Sequence, residues 1–256
     1  MAAMIDPLVK ANLNLYAVLR NLPDLVESDP VAARTVAQWR IAIQFVVWRG
    51  PAATLAFEDG ACIFERGRHG SPAVALGFVS PGHLNRMMDG KGTPVPLKGF
   101  KHLGFMRHEF PKVTDRLAFF LKPSDAKFAD PHYLAVNTRL TLATAVFAAR
   151  ELALFDPIGQ QIAGRIGNGG VLLKVLSDGP SAHLIFEDGE VTAGLGDIQR
   201  PMARIDFRNL AVANGFLNGR LDPFTAIAGG DVAIRGQTPM IDHLSLIFDR
   251  IPGYLA

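Results

Sequence analysis

Apolar and polar positions alternate along several short stretches of the chain, as they do in β-strands with one buried face. The run Asp231–Arg235 shows this pattern, with Val232 and Ile234 at the apolar positions. The alternation predicts strands at 40–48, 54–57, 62–65, 73–78, 171–176, 183–186, 191–195, 202–207 and 231–235. Two of the turns between strands contain Glu-Asp-Gly, and Asp-Gly favours a tight hairpin because a primed turn needs positive φ. Asp59 and Asp188 are therefore interpreted as turn residues rather than catalytic carboxylates.

Other stretches repeat their apolar positions at the spacing of an α-helix. They predict helices at 7–21, 31–38, 81–88, 111–121, 133–155, 210–217 and 240–250. The 133–155 segment is apolar around most of its circumference, which is typical of a buried helix. Helices and consecutive strands follow one another in blocks rather than in strict alternation, so the predicted fold class is α+β.

The chain contains an internal duplication. Residues 46–94 and 175–223, offset by 129 positions, share 15 identities in 49 positions without a gap, whereas average composition would give about three. We therefore predict two domains, 1–127 and 128–256. Beyond Pro94 the same offset sets Lys101 and Arg107 against Gly230 and Gly236, so the first copy is predicted to be degenerate there, with a strand around Leu103 and Phe105.

A run of eighteen residues near the end of the second copy carries the most specific signal. Its characteristic positions are Gly219, Leu221, Pro223, Ala226, Gly230, Val232, Ile234 and Gly236. This run resembles the sterol carrier protein type 2 family of lipid-binding domains. The resemblance implies two tandem sterol-carrier-like units, each a mostly antiparallel sheet with helices packed on one face. It also implies an internal cavity for an elongated apolar ligand.

The residues expected to line that cavity are apolar side chains near the motif and its counterpart. They are Phe207, Leu210, Phe216, Leu217, Phe224, Ile227, Ile234, Leu244 and Phe248 in the second copy, and Met87 and Met88 in the first. Methionine suits a surface that adapts to different ligands. The alternative interpretation is that these side chains simply fill a core, since a helix facing a sheet must bury such groups in any case.

Composition and charge narrow the functional classes. Apolar residues make up 49% of the chain and the net charge is +2, which gives no indication of nucleic-acid binding. The basic clusters Arg66–His69 and Lys98–His102 are interpreted as solvated loops, or alternatively as docking sites for anionic lipid headgroups or a coenzyme A phosphate. The single cysteine, Cys62, fits a cytoplasmic protein and is predicted to be buried. No motif predicts a cofactor, a metal site or a membrane-spanning helix.

The predicted function is intracellular binding or transfer of an apolar ligand, such as a lipid, a fatty acyl group or a sterol-like or isoprenoid molecule, without catalysis. The alternative is an accessory or scaffold protein that presents a hydrophobic intermediate to a partner enzyme. Expected partners are the apolar molecule, transiently a membrane surface, and either an enzyme or a second copy of the chain. An enzyme is the least favoured reading, because alternation places Arg204, Asp206, Asp222 and Asp231 toward solvent.

Overall fold

The computed structural model describes residues 5–255. The chain forms two compact units, Met1–Phe119 and Phe120–Tyr254, hereafter unit 1 and unit 2. Each unit contains its own five-stranded sheet and its own set of helices.

Unit 1 begins with helices and ends with them. Its elements are α1 Pro7–Leu13, a π-helical turn Asn14–Val18, a 3-10 turn Leu19–Asn21, α2 Leu22–Ser28, α3 Pro30–Val36, β1 Ile41–Val47, β2 Ala52–Glu58, β3 Ala61–Arg66, β4 Val74–Phe78, α4 Pro81–Met88, β5 Val95–Lys98, a 3-10 turn Phe100–His102, α5 Leu103–His108 and α6 Phe110–Leu121. The single helix predicted at 7–21 is instead an α-helix interrupted by the π-helical and 3-10 turns, a change that apolar spacing does not reveal.

Unit 2 follows the same plan. Its elements are a 3-10 turn Asp125–Ala129, α7 Pro131–Phe155, α8 Pro157–Ala163, β6 Gly169–Val175, β7 Ser181–Glu187, β8 Glu190–Leu195, β9 Ala203–Phe207, α9 Leu210–Leu217, α10 Pro223–Ala228, β10 Val232–Gly236, α11 Thr238–Phe248 and α12 Ile251–Leu255. The long α7 packs on β7 and β8 and against α8 and α9, so its nearly uniform apolar surface is buried as predicted.

The two sheets have the same topology. Their strand orders are β3-β2-β1-β4-β5 and β8-β7-β6-β9-β10. All neighbouring strands are antiparallel except β1 with β4 and β6 with β9. The predicted hairpin turns are confirmed, since Asp59 and Gly60 have φ of 50° and 80° and Asp188 and Gly189 have φ of 49° and 87°, the primed geometry that suits twisted strands. The duplication in the sequence is therefore matched by a duplication of the fold.

One face of each sheet forms the core. In unit 1, Phe45 and Phe57 both contact the Phe110 ring, with centroids 6.3 and 6.5 Å away, so the start of α6 lies over this face. On the opposite face the buried Gln44 donates to the His69 carbonyl at 3.2 Å. The loop from β3 to β4 therefore lies on that face. It has to cross the sheet because β4 pairs with β1, in parallel, and not with β3. The predicted α+β architecture with helices on one face is confirmed.

A duplicated carboxylate clamp closes each unit. Asp29 caps the first turn of α3, and Arg116 in α6 donates two hydrogen bonds of 2.8 Å to its carboxylate. Asp156 caps α8 in the same way and receives hydrogen bonds of 2.6 and 2.9 Å from Arg250. A two-pronged guanidinium–carboxylate contact of this kind fixes geometry as well as charge. Arg116 in α6 and Arg250 in the turn after α11 thereby tie the C-terminal part of each unit to a helix that precedes the sheet.

The gapless offset fails after Pro94. Gly99 in unit 1 and Gly236 in unit 2 have φ of 87° and 83°, and an added Cβ would lie 2.4 Å from the Ala73 carbonyl oxygen and 2.1 Å from the Met202 carbonyl oxygen, respectively. Ala73 and Met202 are themselves 129 positions apart. Gly99 is therefore the counterpart of Gly236, which corrects the alignment of Arg107 with Gly236.

The stretch from Ala73 to Gly99 in unit 1 is eight residues shorter than the stretch from Met202 to Gly236 in unit 2, because the offset between the copies rises from 129 to 137 positions. The missing residues correspond to α10, and the described chain between Gly90 and Gly99 has no helix in its place. The predicted strand around Leu103 and Phe105 is wrong, because both residues belong to α5 and the fifth strand is 95–98. A deletion moves the strand to an earlier position in the sequence, and an alignment with a fixed offset of 129 residues cannot detect this move.

Candidate apolar-ligand site

The motif residues of unit 2 build a helix–helix–strand–helix edge from α9 to α11. Asn209 caps α9, and Asp222 caps α10 by accepting from the Thr225 backbone N–H at 2.7 Å. Gly219 and Gly230, with φ of 66° and 74°, allow the chain to turn into and out of α10. The motif thus consists mainly of turn and capping positions, and its apolar positions Leu221, Ala226, Val232 and Ile234 are buried or half-buried.

The predicted lining residues fall into three groups by exposure. Phe207 and Leu244 are fully buried; Leu210, Phe216, Leu217, Ile234, Phe248, Met87 and Met88 are half-buried; Phe224 and Ile227 are exposed. The structure brings Phe207 and Phe216 together, with ring centroids 5.3 Å apart. It places Phe224 at 83% and Ile227 at 41% exposure, outside the interior.

Open space near these residues is limited. Two clefts of about 250 and 170 Å³ lie in unit 2, one between α7, α8 and the β7–β8 turn and the other beside Arg139 and Leu142. Neither is lined by any of the predicted residues. Pockets that enclose a drug-sized ligand measure roughly 300–1,000 Å³. Neither of these two clefts reaches that size, so enclosing an acyl chain beside the predicted residues would need a movement of the structure.

Helix α10 is weakly attached to the rest of unit 2. Within this six-residue helix only Ala226 is buried. Its attachment to the following strand includes the hydrogen bond from the Asp231 N–H to the Ala226 carbonyl, 2.9 Å long. Segments with few buried apolar contacts open at the low end of a protein's stability range. The two large apolar side chains of α10, Phe224 and Ile227, face solvent and have surface to gain by covering a ligand.

A buried polar network holds α9 to α7 behind this edge. Asn214, fully buried, donates to the Asn137 side-chain oxygen at 2.7 Å and to the Thr138 hydroxyl at 3.0 Å, and Arg220 donates to its oxygen at 2.9 Å. In unit 1 the counterpart Asn85 accepts from Asn14 at 3.0 Å. Sequence reasoning missed this pair, although Asn85 and Asn214 are among the identities of the repeat. These contacts make α9 a fixed wall of the site.

The interpretation of Asp206 as a solvent-facing group is wrong. Asp206 is 3% exposed, hydrogen-bonds to Arg204 and lies 3.5 Å from the Arg235 guanidinium. Strand β9 lies inside the sheet between β6 and β10, so long side chains of its neighbours cover the face that alternation assigns to water. Asp206 is paired with cations on its own and the adjacent strand, an arrangement that stabilises the sheet edge.

The groups that could support chemistry are scattered. No cluster of three or more His, Cys, Asp or Glu suited to a metal ion occurs among residues 5–255. Burial, and secondarily the charge of Asp24, raises the pKa of the Cys62 thiol to about 12, which makes it a poor nucleophile. Within the described part of the chain, none of the helices combines the length and apolarity needed to cross a bilayer.

Comparison with known proteins gives structural matches only. Protein-family models and curated protein sequences yield no match. Among solved structures, the sterol carrier protein domain 2 of Helicoverpa armigera aligns with 44% of this chain and 89% of its own length, at 14% identity and a TM-score of 0.35. The chain is similar in structure to sterol carrier protein domains.

Two further sterol-carrier structures show the same likeness. Palmitated SCP2L2 from Aedes aegypti covers 42% of this chain and 91% of its own, at 15% identity and a TM-score of 0.32. UbiJ-SCP2, a ubiquinone synthesis protein, covers 43% and 94%, at 13% identity and a TM-score of 0.34. At such identities the likeness concerns the fold and assigns no function.

Proposed function

We propose that the protein binds an apolar molecule of the lipid, fatty acyl, sterol-like or isoprenoid class in unit 2, and carries it without catalysis. The observation that carries this proposal is α10, a weakly attached helix that packs beside β10 and leaves Phe224 and Ile227 exposed. The resemblance of 219–236 to the sterol carrier motif supports the same assignment. The ligand would enter between α10 and the sheet, with Phe207 and Phe216 at its floor.

The energetics favour such an exchange. A fatty chain gains about 0.8 kcal/mol for each CH2 that leaves water, and covering an exposed phenylalanine adds roughly 1.5–3 kcal/mol. Phe224, at 83% exposure, has nearly all of that surface still to bury. Displacing α10 costs little because only Ala226 is buried. No charged catalytic group is required, since apolar contact alone supplies the binding free energy.

A fluorescently labelled palmitate titrated into the delipidated protein tests the proposal. Binding near one ligand per chain is expected, and Phe224→Ser should weaken it about tenfold because the apolar cover is lost. Phe224→Leu should retain most of the affinity. Trp48→Ser removes an exposed aromatic from unit 1, where Trp48 is 66% exposed, and serves as the control that should leave binding unchanged. Equal loss in Phe224→Ser and Trp48→Ser, or no binding at all, would refute the proposal.

A second candidate is an accessory protein that presents a hydrophobic intermediate to a partner enzyme. It is favoured by the small size of the two clefts in unit 2, together with exposed apolar side chains such as Trp48 and Val79, at 66% and 67% exposure. Under this alternative the isolated chain would fail to bind labelled palmitate in solution, and Phe224→Ser would leave its behaviour unchanged. The same titration therefore separates the two candidates.

A further inference from the structure

The edge of unit 1 that corresponds to the candidate site of unit 2 has a different surface. In unit 2, α10 packs beside β10, and Val232 at the start of that strand is 2% exposed. Between Gly90 and Gly99 the described part of unit 1 has no helix in the place of α10, and Val95 and Leu97 on the edge strand β5 are 44% and 55% exposed. Without a helix in the place of α10, β5 is uncovered, and these two apolar side chains are exposed to solvent.

The electrostatics of the two edges differ as well. Arg235 of unit 2 lies 3.5 Å from the carboxylate of Asp206. Its counterpart in unit 1 is Lys98, and the counterpart of Asp206 is Gly77. Lys98 is exposed and forms no ion pair within residues 5–255. The cation at this position is therefore paired with a carboxylate in unit 2, whereas Lys98 in unit 1 has no carboxylate at the corresponding place.

The chain after β5 extends this surface. The positive φ of Gly99 turns it into the 3-10 turn and α5, which Phe105 anchors by packing on Trp39 with ring centroids 4.8 Å apart. Phe100 and Leu103 remain 64% and 41% exposed. With Arg107 they lie at i, i+3 and i+7, so the three side chains share one side of the helical stretch.

The charge of this segment is strongly one-sided. Residues 91–108 contain four basic residues, Lys91, Lys98, Lys101 and Arg107, and no acidic residue, so the rest of the chain carries two more acidic than basic groups. All four are exposed. Exposed apolar side chains interleaved with cations suit a bilayer with anionic headgroups, where the apolar groups enter the acyl boundary and the cations meet the lipid phosphates.

We propose that the basic edge, defined as Lys91–His108, docks unit 1 onto an anionic lipid bilayer. The pattern of aliphatic and aromatic side chains distinguishes this partner from an acidic protein or a nucleic acid, which would match the charge but leave Leu97, Phe100 and Leu103 in water. This proposal goes beyond ligand binding in unit 2 and does not depend on it.

Co-sedimentation of the full chain with vesicles provides the test. The wild type should bind vesicles of phosphatidylcholine mixed with phosphatidylglycerol, bind pure phosphatidylcholine weakly, and lose binding at high salt. Each basic residue near such a surface contributes about a fivefold factor, so the triple variant Lys98→Gln, Lys101→Gln and Arg107→Gln should bind about 100-fold more weakly. Phe100→Ser should weaken binding about tenfold through lost apolar insertion.

The matched control is Arg34→Gln, Lys122→Gln and Arg165→Gln, which removes the same charge from exposed positions outside both basic clusters. It should bind like the wild type. Equal loss in both triple variants, no binding to anionic vesicles, or tighter binding to polyglutamate or duplex DNA than to vesicles at the same salt would overturn the proposal. Labelled palmitate binding in the absence of vesicles should be unchanged in the basic-edge variant, so failure of either proposal is visible separately.

Discussion

Substituting Gly99 with alanine tests the structural equivalence of the two units. A Cβ at this position would lie 2.4 Å from the Ala73 carbonyl oxygen and 3.0 Å from the Val74 Cα, which are backbone atoms just before and at the start of β4. The strand would have to shift, because real Cβ atoms do not approach backbone so closely. Gly99 also has φ of 87°, a conformation that costs a residue with a Cβ about 1–2 kcal/mol.

Gly90 supplies the matched control in the same unit. It has φ of 74°, but nothing lies within 4 Å of an added Cβ. Gly90→Ala should therefore cost only the backbone penalty, reduced by about 0.4–1 kcal/mol because alanine restricts the unfolded chain. Gly99→Ala carries the same terms plus an overpacking cost of about 1–3 kcal/mol. We expect the two variants to differ by about 2 kcal/mol in the free energy of unfolding, with Gly99→Ala the less stable.

Urea unfolding followed by tryptophan fluorescence measures this difference. Both tryptophans, Trp39 and Trp48, belong to unit 1, so their emission reports that unit. With a slope of about 2 kcal/mol per molar urea, the midpoints should lie about 1 M apart. Equal midpoints for Gly99→Ala and Gly90→Ala would refute the close approach of Gly99 to β4, and with it the alignment of Gly99 with Gly236.

Three further predictions concern buried polar groups. Burial alone would raise the pKa of Asp156, but hydrogen bonds from Arg250, Tyr254 and the Gly159 N–H, with the Arg250 charge, hold it below 3.8. The clamp's stabilisation is thus fully present well above the pKa of an unfolded aspartate and is lost as pH falls through the lowered folded-state pKa. In urea melts at several pH values, Asp156→Asn should therefore cost about 2–3 kcal/mol at neutral pH and less in acid. Asn214→Ala should cost about 2–3 kcal/mol by circular dichroism, because the buried Asn137 and Thr138 side chains each lose a hydrogen bond, and half-buried Asn218→Ala should cost clearly less. Cys62 should react slowly with a thiol reagent in the native protein and rapidly in urea, and fast native labelling would contradict its burial.

The repeating core of the fold was predictable because local signals agree with it. The Asp-Gly turns demand a primed geometry wherever they occur, and α4 and α9 have the predicted bounds because a cap precedes each and a positive-φ glycine follows. Alternation located the strands since one face of each sheet is buried. These features depend on residues close together in the chain.

The remaining features depend on contacts that local patterns do not contain. The fifth strand of unit 1 was misplaced because an eight-residue deletion moved it. The close approach of Gly99 to the Ala73 backbone in the structure shows where the strand lies. Asp206 was misassigned because its burial comes from Arg204 and Arg235. For the candidate site, the sequence suggested apolar lining residues but could not show that the Phe224 side chain is exposed to solvent. A motif built from turns and caps fixes the backbone path rather than the exposure of each side chain.

Backbone amide shifts of the isotope-labelled, delipidated chain, titrated with palmitate below its micelle concentration, test the central claim most directly. If unit 2 binds an apolar ligand beneath α10, saturable shifts should concentrate in β9, α9, α10 and β10, with the largest changes around Phe207, Phe216 and Phe224. Shifts confined to unit 1, or no site-specific shifts at any palmitate concentration, would contradict the account.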